Sequence, residues 1–335
     1  MTDTSPNIEV APTSETNRIE SIDVFRGFAL LGILLLNIIG FGLFSPSYSN
    51  PAFDLAEATM ANTWTWATIE LFAEGAMRCL FSMLFGAGVV LFTTGDNAKS
   101  GWIHYKRTFW LLMFGLFDAY ILLWNGDILV TYALAGTVLY LLRNKPAKTL
   151  FIISGILVLL MSLQHLGMGF ALKQTSNMYD EVILADAAGQ AETISDEKRA
   201  AAIVWEDFAN DFSLNPEEVE AELAARTSNY PDAFTWNANK NAEIYTFVLP
   251  IFLIWDALAM MLLGMAFYKT GVLQAARNPA FYKKLIFLGF GIGLFINGYE
   301  VSRAHSSGFD LMATFAQIKP TYHVGRIGMA FGYIG

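Results

Sequence analysis

The sequence contains a single cysteine, Cys79, so no disulfide can close within the chain and no cysteine-based metal site can be built. Histidine is almost as scarce. His104, His165, His305 and His323 are scattered, none at HExxH spacing, and no zinc site is expected. Charge is sparse too: Asp, Glu, Lys and Arg make up 15% of the 335 residues, against about 25% in a soluble domain. No lysine- and arginine-rich stripe is present, which excludes a nucleic-acid surface. The first 20 residues lack the basic start and short apolar core of a cleaved signal peptide. They are polar and acidic, and are read as a flexible cytoplasmic tail ahead of an uncleaved signal anchor.

What fills the sequence instead is apolar: 54% of residues are hydrophobic and 14% aromatic. The apolar residues gather in runs of the length that crosses a bilayer core, about 20 residues at about 1.5 Å each. Spans are placed at about 24–44, 71–93, 108–124, 128–142, 149–170, 244–268 and 283–302. An eighth run begins near Tyr322 and stops at Gly335, too short to cross, and is read as the start of a span in a longer protein. The expected fold is an all-α polytopic membrane protein, a bundle of seven or eight transmembrane helices. Its expected divisions are 1–20, helices one to five over 21–170, a small external helical segment over 171–243, and the remaining helices over 244–335.

Charge distribution supplies the orientation. Residues 171–243 hold 15 acidic and 5 basic residues, whereas the remainder is nearly balanced. Short loops 94–107, 143–148 and 269–284 carry Lys99, Lys106, Arg107, Arg143, Lys145, Lys148, Lys269, Arg277, Lys283 and Lys284, while the alternating loops 45–70 and 125–127 carry no base. Positive residues stay on the cytoplasmic side, which places the N-terminus inside and the acidic segment outside. In that segment Asn215-Pro216-Glu217-Glu218 reads as a helix start, and Ser195 as the cap of a helix over 196–212. Trp64, Trp66, Trp102, Trp110 and Trp124 mostly fall near span ends, as an aromatic belt requires. Gly86 and Gly88 permit close helix packing.

Polar residues within apolar spans mark candidate chemistry. Asp23 and Arg26 stand at i and i+3 on one face of the first helix, which runs on to Asn37. The pair suits either an interfacial helix end, with a snorkelling arginine, or an anion site with a carboxylate-held guanidinium. Arg78, Asp118, Asp256 and Glu300 fall inside spans, with Arg326 in the unfinished run. A charge at mid-bilayer costs about 2.5–3.5 kcal/mol, so these residues should face the interior and find partners. Glu70, Glu74 and Arg78 recur every four residues and should share one face of the second helix. Asn125-Gly126-Asp127 reads as a tight turn in which Asp127 caps the next helix, at an edge where it also could meet a substrate.

Four stretches, SIDVFRGFALLGILLLNI (21–38), RCLFSMLFGAGVVLF (78–92), KRTFWLLMFGLFDAYILLWNGDILVTYALAG (106–136) and ALAMMLLGMAFYKTGVL (257–273), resemble the YeiB-like family of bacterial inner-membrane proteins of unknown function. The first also resembles the opening helix of membrane acyltransferases of the heparan-glucosaminide acetyltransferase type. That resemblance implies a cytoplasmic acyl-CoA donor, positioned by Asp23 and Arg26, and a periplasmic glycan or small acceptor. The histidine base such enzymes use has no counterpart in loop 45–70, and Asp118 stands where related proteins often carry histidine. Asp118 and His323 are therefore the candidate catalytic groups, with His305 a further candidate near the last spans. Asp23, Arg26, Asn37, Arg78, Asp127, Asp256 and Glu300 are the candidate donor- and substrate-binding groups. An acyltransferase is the preferred expectation and a transporter of a small anionic solute the alternative. A scaffold or sensor would leave the buried charges without a role. The topology predicts that an impermeant thiol reagent added to intact cells labels Glu220→Cys and not Lys145→Cys. The reverse pattern would invert the orientation.

Overall fold

The computed structural model describes residues 19–43, 45–48, 50–51, 59–94, 100–212, 216–310, 312 and 314–335. Residues 1–18, Lys99 and Asn215, on which parts of the topology and capping expectations rest, lie outside the described residues. The described chain folds into helices α1 (Glu20–Gly42), α2 (Met60–Phe72), α3 (Ala76–Thr93), α4 (Gly101–Tyr120), α5 (Leu129–Leu142) and α6 (Ala147–Ala187). It continues as α7 (Asp196–Phe212), α8 (Pro216–Thr227), α9 (Tyr230–Glu243), α10 (Ile254–Lys269), α11 (Pro279–Ser306) and α12 (Lys319–Ile334). Among the described residues, Glu20–Gly42, Met60–Thr93, Ala147–Ala187, Tyr230–Lys269 and Pro279–Ser306 are long and apolar enough to cross a membrane. The chain is thus a helical polytopic membrane protein.

Two observations explain why these sequences form a bundle in lipid. Large apolar side chains point outward: Val24 and Leu31 on α1 and Phe287 and Phe295 on α11 are each more than two-thirds exposed. Hydrocarbon is their natural solvent. Inside, helices meet on small residues. A Cβ on Gly86 of α3 would overlap the carbonyl oxygen of Met261, and one on Gly264 of α10 would overlap that of Met83. These reciprocal contacts bring the two central helices backbone to backbone, the arrangement small residues permit in membranes. α11 and α12 do the same through Gly289 and Gly293 against Gly328 and Gly332. Gly88 serves differently, since its missing Cβ leaves space for the Arg26 guanidinium, whose Nη2 would lie 3.3 Å away.

Several expected boundaries shift. The second span is not one straight helix. α2 and α3 are separated by Ala73-Glu74-Gly75, with Gly75 at φ +65°. Glu70, Glu74 and Arg78 therefore do not share a continuous helical face. α4 ends at Tyr120 rather than 124, because Leu123 takes φ +59° and the Trp124 N–H turns back to the Asp118 carbonyl at 3.1 Å. α6 runs unbroken past residue 170 to Ala187, about 60 Å at 1.5 Å per residue and twice a bilayer core. α7 packs back along it. Tyr230–Lys269 is likewise continuous, with a wide π-helical stretch, Ile244–Leu253, around Pro250.

The bundle has two distinct ends. At the basic end the Ser21 hydroxyl donates to the Leu273 carbonyl at 2.7 Å, tying the start of α1 to the chain just after α10. At the other end α8 and α9 lie across the helix termini. Arg226 donates to the carbonyls of Leu43 (3.1 Å) and Gly40 (3.2 Å), Tyr230 to Ile121 (2.9 Å), and Asn241 to Ala119 (2.7 Å). Ser195 accepts from the Lys198 N–H at 3.4 Å at the start of α7. The tight α3–α10 contact predicts that Gly86→Ala lowers the unfolding midpoint in detergent, with overpacking worth about 1–3 kcal/mol. Gly155→Ala, which meets nothing within 4 Å, should leave the midpoint unchanged. Equal midpoints for the two would refute the close approach.

Candidate functional site: a charged cavity inside the bundle

α12 organises the polar interior. Lys319, Tyr322, His323 and Arg326 fall on one face at helical spacing, and Gly325, Gly328 and Gly332 on another, where they let α11 approach. Arg326 is 1% exposed. Its guanidinium grips both carboxylate oxygens of Asp256, with Nη1 2.9 Å from Oδ2 and Nη2 on Oδ1. Asp256 stands near the start of α10, just past the π-helical stretch. Such widened turns commonly accompany functional sites. The Arg326 Nη2 also donates to His323 Nδ1 at 2.7 Å. In the neutral ring the proton therefore sits on Nε2, which has no hydrogen-bond partner among the described residues. His165 on α6 lies against His323, with ring centroids 5.1 Å apart, and its Nδ1 is 2.9 Å from the Met161 carbonyl.

The break in the second span supplies the next layer. Gly75 is the residue that fits there, since a Cβ would crowd the Tyr322 hydroxyl at 2.7 Å and Arg326 Cδ at 3.0 Å, at a φ that side chains disfavour. Breaking the helix frees carbonyls that lipid cannot solvate. Asn297 of α11 donates to the Leu71 carbonyl at 3.0 Å, and Tyr333 of α12 to that of Phe72 at 2.8 Å. The Tyr322 hydroxyl accepts from Arg78 Nη2 at 2.7 Å and donates to Glu74 Oε1 at 2.9 Å. Glu300 accepts from the Thr321 hydroxyl at 2.6 Å.

These groups border a cavity of about 160 Å³, whose walls include Glu70, Glu74, Glu300, Lys319, Tyr322 and Arg326. Tyr48 and the buried Trp66 complete it. Tyr48 also borders a second cavity of about 250 Å³ beneath α8 and α9, with Trp124, Trp236 and Asn125. A third, of about 320 Å³, lies toward the basic end and is bordered by Phe85, Val89, His104 and Arg107.

The structure thus brings together Arg78, Asp256, Glu300, His323 and Arg326 from the sequence candidates. Asp118 does not join them. It is half-buried near the end of α4, close to Asp127. Both Asp127 oxygens accept backbone N–H groups at the start of α5, from Leu129 and Val130 at 2.9 Å each. Asn37 is half-buried on α1, outside the cavity walls, and His305 is exposed at the end of α11. Asp23 and Arg26 pair at 3.3 Å on the basic end, each more than two-fifths exposed. Lys319, Tyr322, Tyr48 and Trp66 were missed as site groups by sequence reasoning. Trp66 reads as an interfacial belt residue, yet it is 7% exposed and faces the cavity. The recurrence of Glu70 and Glu74 ahead of Arg78 was the signal that pointed nearest to it.

Lipid-facing apolar helices around a charged interior define a membrane-embedded helical protein with an internal polar site. Its relatives are uncharacterised. The chain is 28% identical to YeiB of Escherichia coli (strain K12) over 284 residues, 83% of this chain and 62% of YeiB. It is 35% identical to YxaH of Bacillus subtilis (strain 168) over 158 residues, 45% of this chain and 39% of YxaH. A 39.9 kDa protein from the amylase 3' region of Bacillus acidopullulyticus is 32% identical over 154 residues, 44% of this chain and 40% of that protein. The resemblance to YeiB-like proteins read from the four motifs therefore stands, and the chain spans less than two-thirds of each of these relatives. No family model matches the chain. No solved structure matches it.

The network predicts that Tyr322→Phe destabilises the protein by about 1–3 kcal/mol, because it leaves Arg78 and Glu74 without their shared hydroxyl. Detergent unfolding midpoints compared with Tyr299→Phe, at a lipid-side tyrosine that is 44% exposed, would check this. An equal effect of the two would remove Tyr322 as the link.

Proposed function

We propose that the chain is a membrane acyltransferase that takes an acyl group from a donor at the basic end and passes it to an acceptor in the charged cavity. The supporting observation is one face of α3. Arg78, Ser82, Phe85 and Val89 follow at helical spacing, from the Tyr322 network to the cavity beside Arg107. The run covers about 16 Å at 1.5 Å per residue. Midway, the Ser82 hydroxyl shares a 2.5 Å hydrogen bond with Tyr132 of α5. An extended donor arm would carry its acyl group along this face once Tyr132, 2% exposed and packed on Phe81 and Phe85, swings aside.

In this reading the basic end is cytoplasmic, the membrane is the bacterial inner membrane, and α7–α9 belong to an external segment. Acyl-CoA is the donor, with its phosphates near Arg26 and Arg107. The acceptor's nucleophilic atom attacks the thioester carbonyl, the carbon–sulfur bond breaks, and the thiol leaves. A cavity carboxylate takes the acceptor's proton. His323, with its proton on Nε2, donates to the acyl oxygen rather than acting as base. Asp118 has no part in this arrangement.

A second reading, transport of a small anionic solute, draws on the helix break at Ala73–Gly75 beside charged side chains, a feature of transporter sites. Binding of labelled acyl-CoA to the purified chain separates the two. Arg26→Lys should weaken that binding about tenfold, close to 1.4 kcal/mol, because lysine keeps the charge but lacks the planar fork. Equal binding by Arg26→Lys would sink the donor-site role. Absence of acyl-CoA binding together with solute uptake into vesicles would favour transport.

A further inference from the structure

The walls of the charged cavity divide by chemistry. Glu70, Glu74 and Glu300 present carboxylates, and Glu70 makes no hydrogen bond or ion pair with another described residue. Trp66, Tyr48 and Tyr322 present aromatic rings beside them. Carboxylates backed by aromatic faces are the surroundings that recognise an ammonium group. The opposite requirement comes from Arg326. Both of its terminal nitrogens are engaged by Asp256 and His323, but its Nε is buried without a hydrogen-bond partner among the described residues, and the residue borders the cavity. The Trp66 Nε1 is likewise buried with no hydrogen-bond partner among the described residues. These are donors only, and they call for an acceptor, preferably an anion; Lys319 also borders the cavity.

We propose that this cavity binds a small zwitterion, with a primary ammonium held by the glutamates and an anionic group held by Arg326, Trp66 and Lys319. The volume of about 160 Å³ equals that of about five waters at roughly 30 Å³ each, which suits a molecule of amino-acid size. Tyr48 stands between this cavity and the one beneath α8 and α9, so entry from that side would pass it. Binding stands on the cavity alone. The fate of the ligand rests on the acyl-transfer reading. In that reading the ammonium gives a proton to a glutamate, the free amine attacks the thioester carbonyl, and an amide forms as the thiol leaves.

The test uses the purified chain in detergent and follows its unfolding midpoint with L-alanine, γ-aminobutyrate, N-acetylalanine and alaninamide as probes. A saturable rise is expected with at least one of the two zwitterions, and none with N-acetylalanine, which lacks the cation, or alaninamide, which lacks the anion. Glu70→Gln should abolish the rise. Should that variant fail to fold, Trp66→Phe, which keeps an aromatic ring but loses the indole N–H, should weaken it at least several-fold. No rise with either zwitterion, or an equal rise with N-acetylalanine, would overturn the assignment. Zwitterion binding without acyl-CoA binding would keep this site and remove acyl transfer. Acyl-CoA binding without zwitterion binding would do the reverse.

Discussion

The polar interior depends on the Arg326–Asp256 pair. A guanidinium and a carboxylate removed from water each carry a desolvation penalty of several kcal/mol, and only close, two-pronged contact offsets it. With Asp256 neutralising Arg326, a strongly charged residue can sit 1% exposed in the bundle. Everything around the pair then follows from geometry. His323 is held by the same guanidinium, Tyr322 lies one turn away, and Gly75 must lack a side chain so that Arg326 and Tyr322 can pass. The pair also joins α10 to α12, and so connects the tightly packed α3–α10 core to the helix that carries Lys319, Tyr322, His323 and Arg326.

The helix break at Ala73–Gly75 is the second constraint, and it is answered from the same side. Carbonyls released at Leu71 and Phe72 are taken up by Asn297 and Tyr333, side chains of α11 and α12. Those helices meet through glycines, which sets their axes close enough for Asn297 and Tyr333 to reach α2. A cavity beside a break is thus kept without exposing backbone to lipid.

Much of the fold was legible because hydrophobic length is a direct physical signal. The runs at 149–170, 244–268 and 283–302 lie inside helices of crossing length, and the run at 24–44 overlaps the crossing helix Glu20–Gly42. The buried charges were legible for the same reason: Arg78, Asp256 and Glu300 interrupt the apolar stretches of runs that carry few other charges. Their partners were not. Periodicity assigns a residue to a face, but only the three-dimensional crossing of α12 over the break brings Tyr322 between Arg78 and Glu74. The Gly75 break was hidden because Glu70, Glu74 and Arg78 keep perfect helical spacing across it. The eighth apolar run is marked by hydropathy alone as a membrane segment, yet its first two turns carry Tyr322 and Arg326, around which the cavity is built. Asp118 looked equivalent to the others by hydropathy, and the turn that ends α4 leaves it with Asp127 instead.

The central claim is that Asp256 and Arg326 act as one unit, and a double-mutant cycle on unfolding free energy tests it most directly. Asp256→Asn and Arg326→Gln should each destabilise the chain by about 3–5 kcal/mol, since each leaves the other charge buried and unpaired. The double variant should be less destabilised than the sum of the two by about 2 kcal/mol or more. Additivity within about 0.5 kcal/mol would show that the two residues do not depend on one another and would contradict the account.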